Sequence, residues 1–303
     1  MRDLTFQVVV DMVAKYGQAS RRDDLVRTPA VVCYNSGVHH RACARKRLLC
    51  EGITMSTSYG ALCTDFYVNH KLAMKMDLPQ DRETILHLFE RIRRSVPSMS
   101  KFRRMDGELA LESPRKDAEY RWMAVWGNHV RSGFVHPSSM QDAYKLHRLI
   151  LEQVPYHLTI SPLDVDYLEI NFGFDLECNG NHDQVVADAL LSGSPLGDLL
   201  HESQAKVLDV QPVVSLALTK RGDVQACVEV KTRRKNRRGA SGRYRDDPIS
   251  VLLSVRRYGP INELADLTAW FDDMAQQAEA LCAERVVPTI LMPLARQITS
   301  SNA

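Results

Sequence analysis

Eight of the fifteen residues in KTRRKNRRGASGRYR, 231–245, are Lys or Arg, and none is acidic. Cations at this density neutralise phosphates and release counterions, which gives salt-dependent binding to polyanions. Lys231, Arg233, Arg234, Lys235, Arg237, Arg238, Arg243 and Arg245 would supply the charge, and Tyr244 could stack on a base. The plainer alternative is a solvated loop tip whose charge aids solubility. A second stretch, CYNSGVHHRACARKRLLC at 33–50, offers Cys33, His40, Cys43 and Cys50 as metal ligands. A structural zinc site wants four such ligands, usually as two close pairs. His40 and Cys43 make one pair, but Cys33 and Cys50 make no second one unless Cys63 or a distant His joins. The stretch therefore reads as a loop entering a helix at about 38–50, with Val38, Ala42, Leu48 and Leu49 packed and the basic residues in water. No metal and no cofactor is expected.

VEVKTRR, 228–234, places Glu229 and Lys231 two apart, on one face of a strand. Preceded by a Gly turn and an apolar run, this stretch resembles the core strand of restriction-endonuclease-like nucleases, which carries (D/E)-x-K. The resemblance implies a divalent metal held by two carboxylates, with Lys231 assisting the attacking water. It covers about a dozen residues and lacks the upstream acid: VVSLALTK has none, and Asp209 lies before that strand. Glu112 in ELALES takes the place of Glu229 in what reads as a matching hairpin, which gives a structural reason for the pattern.

Other signals are sparser. GNHVRSG brings Asn128, His129 and Arg131 near a strand end, with His136 following, and could grip an anion; structural histidines are the simpler reading. CNGNHD, 178–183, reads as a turn and a helix start. The chain has no P-loop, G-x-S-x-G, G-x-G-x-x-G or H-E-x-x-H pattern, so nucleotide, hydrolase and zinc-protease chemistries have no motif support.

The elements that must hold these residues form a pattern. Ile85, Leu88, Phe89 and Ile92 recur at helical spacing between Asp81, a suitable N-cap, and Pro97, a stop. Ser139 with Asp142 resembles a capping box opening a helix over 139–153. Leu264, Leu267, Phe271, Met274, Ala278 and Leu281 form a stripe over 262–284 behind Asn262. Asp65, Tyr67, Asn69 and Lys71 alternate with Phe66, Val68, His70 and Leu72, and Tyr167, Glu169 and Asn171 with Leu168, Ile170 and Phe172. Such alternation suits an antiparallel sheet with helices on one face.

The order of elements occurs twice, with low identity between the copies. The expected fold is α+β: two divergent pseudo-symmetric repeats, each β-α-β-β-β-α-β, at 53–163 and 164–294. Both end in a short apolar strand before Pro-Leu. A helical cap at 1–52, with a helix near 3–16, precedes them, and a tail at 295–303 follows. The chain has 303 residues, 45% hydrophobic and 25% charged, with a net charge of +2, so any polyanion signal is local. No run nears the roughly 20 apolar residues of a membrane span. Seven scattered cysteines make no disulfide framework, so a soluble, cytoplasmic protein is expected.

The leading functional reading is a non-enzymatic binding protein that contacts nucleic acid or another polyanion through 231–245. The alternatives are a metal-dependent nuclease using Glu229 and Lys231, or a scaffold docking an acidic protein partner. The oligomeric state is left open. Purified protein is expected to carry no stoichiometric zinc. One equivalent by metal analysis, lost when His40 and Cys43 are replaced together, would instead make 33–50 a metal centre.

Overall fold

The structure is a computed structural model and describes residues 58–105, 107–115, 117–200, 206–232 and 248–301. The expected cap at 1–52 lies outside the described residues. The protein is mixed α and β, built on one continuous antiparallel sheet. Its strands are β1 (Asp65–Met74), β2 (Lys101–Met105), β3 (Glu108–Glu112), β4 (Tyr120–Trp126), β5 (His129–Val135), β6 (Val165–Leu176), β7 (Val213–Ala217), β8 (Val224–Thr232) and β9 (Ile249–Tyr258). They lie in the order β2-β3-β4-β5-β1-β6-β9-β8-β7.

The helices are α1 (Arg82–Ser95), α2 (Met140–His157), α3 (His182–Leu190), α4 (Pro195–Asp198), α5 (Asp266–Leu281) and α6 (Met292–Ser301). Asp81 caps α1, accepting from the Thr84 amide at 2.9 Å, and Ser139 caps α2, accepting from Asp142 at 3.1 Å. The stripe Ile85, Leu88, Phe89 and Ile92 is buried as its spacing predicts. α2 runs on to His157, past Pro155. α5 starts at Asp266 rather than behind Asn262, and Ala265 makes no side-chain cap.

Period-two alternation divides the sheet. In β1, Phe66, Val68, His70 and Leu72 are buried on the face where α2 packs on β5 and α5 on β6 and β9. Facing them in register on β6 are Phe172, Ile170 and Leu168, which join the same core. The opposite face carries Tyr67, Asn69, Lys71, Glu169, Asn171, Ser254 and Arg256. Among the described residues no helix is long and apolar enough to cross a membrane.

Two expectations are corrected. The residues before Pro162 and Leu163 form no strand: Thr159 takes a φ of 54°, and both sides of β6 are occupied, by β1 and β9. The apolar run near 286–294 is helical. α5 continues through a π-helical segment, Cys282–Leu291, into α6, which buries Val286, Leu291, Leu294 and Ile298 and makes helix of the expected tail. Short apolar runs fit a strand or a buried helix equally well, and here helical packing decides. Among the described residues the first half runs β-α-β-β-β-β-α and the second carries four strands, β6 to β9, so neither half is β-α-β-β-β-α-β.

Two glycines permit close approach at the sheet's centre. A Cβ on Gly173 would lie 2.0 Å from the Tyr67 ring, and one on Gly133 would lie 2.3 Å from both Asn69 Oδ1 and Trp122 Nε1. The large side chains of neighbouring strands thus lie across bare backbone. Gly173→Ala is expected to lower stability by about 1–3 kcal/mol in denaturant titration. Adding Tyr67→Ala removes the clash, so the double variant should be more stable than the sum of the single losses. Strict additivity would refute the contact.

Candidate functional site

Glu229 and Lys231 project from one face of β8, as their spacing requires, with Lys231 Nζ 2.9 Å from Glu229 Oε2. Lys231 stands opposite Ser250 of β9, which stands opposite Asp175 of β6. The nearest acid in that row is thus two strands away, and it accepts from Ser250 Oγ at 2.5 Å. Asp209 is exposed and accepts from Gln211. Among the described residues no three His, Cys, Asp or Glu side chains group as a metal site. The second carboxylate of the nuclease pattern is therefore not beside the first. Glu112 does not occupy the matching place: β3 lies third outward from β1, whereas β8 lies second outward from β6. Glu112 instead accepts from Tyr120 Oη at 2.7 Å and Arg103 at 3.2 Å.

The basic stretch joins β8 to β9, whose ladder closes at Thr232 and Ile249. Of its proposed contacts only Lys231 is described; Arg233, Arg234, Lys235, Arg237, Arg238, Arg243, Tyr244 and Arg245 lie outside the described residues. So do Cys33, His40, Cys43 and Cys50. Cys63, weighed as a further ligand, donates to the Tyr59 carbonyl at 3.4 Å, and burial pushes its thiol up to about 12.

The residues of GNHVRSG do not converge. Asn128 donates to the Met74 carbonyl at 3.0 Å, Arg131 pairs with Glu108, and His136 meets Asp65 at 2.8 Å. His129 lies edge-on to Trp126, and burial, with Lys71 and Arg131 nearby, lowers its pKa to about 3. CNGNHD is a turn and a cap as expected: Asn181 accepts from Gln184, and His182 Nε2 lies 2.8 Å from the Cys178 carbonyl. Buried Asp183 accepts from the Val210 amide at 3.0 Å and from Thr232 Oγ1 at 2.8 Å. That carboxylate ties α3 to the last residue of β8, where the basic stretch begins.

The sequence reading missed a polar chain in the core. His70 of β1, Ser132 of β5 and His147 of α2 are all at most 2% exposed. His147 Nε2 lies 3.2 Å from the Val68 carbonyl, an acceptor only, so it carries the proton and Nδ1 does not. Ser132 then donates to His147 Nδ1 at 2.7 Å and accepts from His70 Nδ1 at 2.5 Å. The chain ends at His70 Nε2, a buried lone pair without a hydrogen-bond partner. A Ser between two imidazoles invites comparison with nucleophilic catalysis, but no substrate reaches a hydroxyl at 0% exposure. The signal available in the sequence was His70 standing in register with Phe66, Val68 and Leu72.

The opposite face holds a second network. Arg256 Nε donates to Glu169 Oε2 at 2.8 Å, its Nη1 donates to Tyr258 Oη at 2.8 Å, and the guanidinium lies 4.4 Å from the centre of the Tyr167 ring. Asn171 donates to Ser254 Oγ at 2.8 Å. These are the polar positions of the period-two pattern, brought together by register.

Burial holds both core imidazoles neutral, pushing His147 down to about 3 and His70 well below its ordinary value. In the unfolded chain both protonate near 6.5. The unfolded state therefore binds more protons below that pH, and stability present above about 6.5 is lost as pH falls towards about 3. The slope is up to ~1.4 kcal/mol per pH unit for each histidine; His129 adds to the same limb. His70→Leu keeps the Ser132–His147 bond and removes the orphan lone pair. Its stability at pH 7 should stay near wild type, with the acid limb shallower by one proton; an unchanged slope would refute the assignment. Comparison of the chain with protein-family models and with curated proteins gives no match.

Proposed function

We propose that the protein is a non-enzymatic binding protein whose residues 231–245 contact nucleic acid or another polyanion. What carries this reading is the local charge, eight cations and no acid, in a connection whose base is anchored. The Thr232–Ile249 pair closes the β8–β9 ladder, and Thr232 is bonded to buried Asp183. Eight cations within fifteen residues can meet several phosphates at once. A reducing, cytoplasmic setting accords with the free thiols of Cys63, Cys178, Cys227 and Cys282.

We also infer that 53–163 and 164–294 are divergent repeats. Support comes from strand order: outward from β1 the sheet runs β5, β4, β3, and outward from β6 it runs β9, β8, β7. Each half thus places its first strand at the centre and adds later strands from the last inward. On this reading β2 is an addition to the first half.

The test is fluorescence anisotropy of labelled single-stranded RNA and double-stranded DNA at low and moderate salt. Magnesium is present, and endpoint samples are run on a denaturing gel. Binding should weaken steeply with salt and leave the probe intact. Neutralising Arg233, Arg234, Arg237 and Arg238 together should abolish most of the affinity and flatten the log–log salt slope by about 3–4. Cut probe, with cutting lost in Glu229→Gln, would replace this reading by the nuclease. Neither binding nor cutting would leave the acidic protein partner.

A further inference from the structure

The two edges of the sheet differ in chemistry. Strand β2, KFRRM, carries Lys101, Arg103 and Arg104, and charge on an edge strand opposes pairing with another chain. Strand β7, VVSLA, forms the other edge and holds no charge and no proline. All of its residues are exposed, Val213 at 55%, Val214 at 54% and Leu216 at 46%.

Hydrogen bonds to β8 fix which groups of β7 face outward. The Pro212 carbonyl accepts from the Val230 amide at 2.9 Å, and the Leu218 amide donates to the Val224 carbonyl at 2.8 Å. Residues 212 and 218 therefore face β8. By antiparallel alternation Val214 and Leu216 face it too, and the N–H and C=O groups of Val213, Ser215 and Ala217 point away. No described residue pairs with that outer side. The N–H that Pro212 lacks lies on the β8 side, so the outer side is unblocked. Val214 and Leu216 stand opposite Val228 and Ala226, on the face that carries the core. The apolar face thus continues onto a strand that no described element covers.

We propose that β7 pairs with β7 of a second copy of this chain, antiparallel about a twofold axis at Ser215. Val213 then lies opposite Ala217 of the copy, and Ser215 opposite Ser215. These are hydrogen-bonded pairs, so every outward N–H and C=O of both strands finds a partner. Val214 lies opposite Leu216 in the closely spaced pairs between them, and the apolar side chains of both copies meet across the axis. Charge is complementary at both ends. Asp209, before β7, comes to the end where the copy carries its exposed Lys220–Arg221 turn. None of these three residues is in an ion pair with a described residue. A twofold interface must be self-complementary in this way. The same operation at the middle of β2 would set Arg103 opposite Arg103.

Sedimentation velocity of the full chain without nucleic acid tests this independently of the polyanion reading. A reversible dimer is expected, with a dissociation constant below about 100 μM. Ser215→Pro removes an outward N–H and no bond to β8, and Val214→Lys puts charge into the apolar cluster. Each change acts twice across the axis and should weaken the dimer about tenfold or more, with an unchanged circular dichroism spectrum. Cα atoms of a hydrogen-bonded pair lie about 5.5 Å apart, within disulfide reach. Cys227 stands opposite Ser215 on β8, so Ser215→Cys is combined with Cys227→Ser. With oxidised glutathione this variant should give a covalent dimer, its cross-link mapped by mass spectrometry to position 215 of both copies. A monomer at every concentration up to about 100 μM, a dimer unchanged by both Ser215→Pro and Val214→Lys, a cross-link elsewhere, or a ladder of higher oligomers overturns the proposal. In a monomer, hydrogen exchange at Val213, Ser215 and Ala217 names the other occupant. Slow exchange would assign the edge to another segment of this chain, and fast exchange would leave it to a strand of a different protein.

Discussion

The antiparallel ladder between β1 and β6 is the constraint on which the other features depend. It runs from Asp65–Asp175 to Met74–Val165 and sets the register of both halves of the sheet. On the helix side it stacks Phe66, Phe172 and Phe174 with ring centres 5.1–6.2 Å apart. On the other side it puts Gly173 under the Tyr67 ring. A slip of one residue would exchange the faces, placing Asp65, Asn69 and Lys71 against α2 and α5 and exposing the phenylalanines. Register, glycine placement and core packing therefore specify one another.

The same alternation explains why polar chemistry appears on both faces in different forms. Under the helices the Ser132 hydroxyl serves two imidazoles at once, while His70 Nε2 is left without a partner. On the opposite face, charges are common and compensate one another in pairs: Arg131 with Glu108, Arg256 with Glu169, Lys231 with Glu229. Lys71 departs from that pairing: its Nζ lies 5.3 Å from the centre of the Tyr167 ring. The core chain is closed to solvent and acts on stability.

Local chemistry was legible in the sequence, and long-range chemistry was not. Asp81 and Ser139 announced their helices because a cap involves residues three apart. The alternation of β1 was legible because it is carried by consecutive residues. The runs at 158–163 and 286–294 were misread because a few apolar residues before Pro-Leu fit a strand or a helix, and only their surroundings decide. His70, Ser132 and His147 come from three elements, so no spacing could link them. Glu229 and Lys231 were correctly placed on one face, but whether a second carboxylate stood beside them depended on β6 and β9, which no window around β8 contains.

The central ladder also has a consequence for synthesis. β1 is complete roughly a hundred residues before the strand that flanks it on one side, and β5, on its other side, also comes later. At about 5–20 residues per second, β1 leaves the ribosome some 5–20 s before β6 exists. During that interval Phe66, Val68 and Leu72 lack Phe174, Phe172 and Leu168, which face them in register. Sheets dominated by such distant pairings fold slowly, because loop closure must precede the contacts that reward it. The nascent first half must therefore be kept from associating with other chains until β6 arrives, and that interval is the time in which chaperones have access to it.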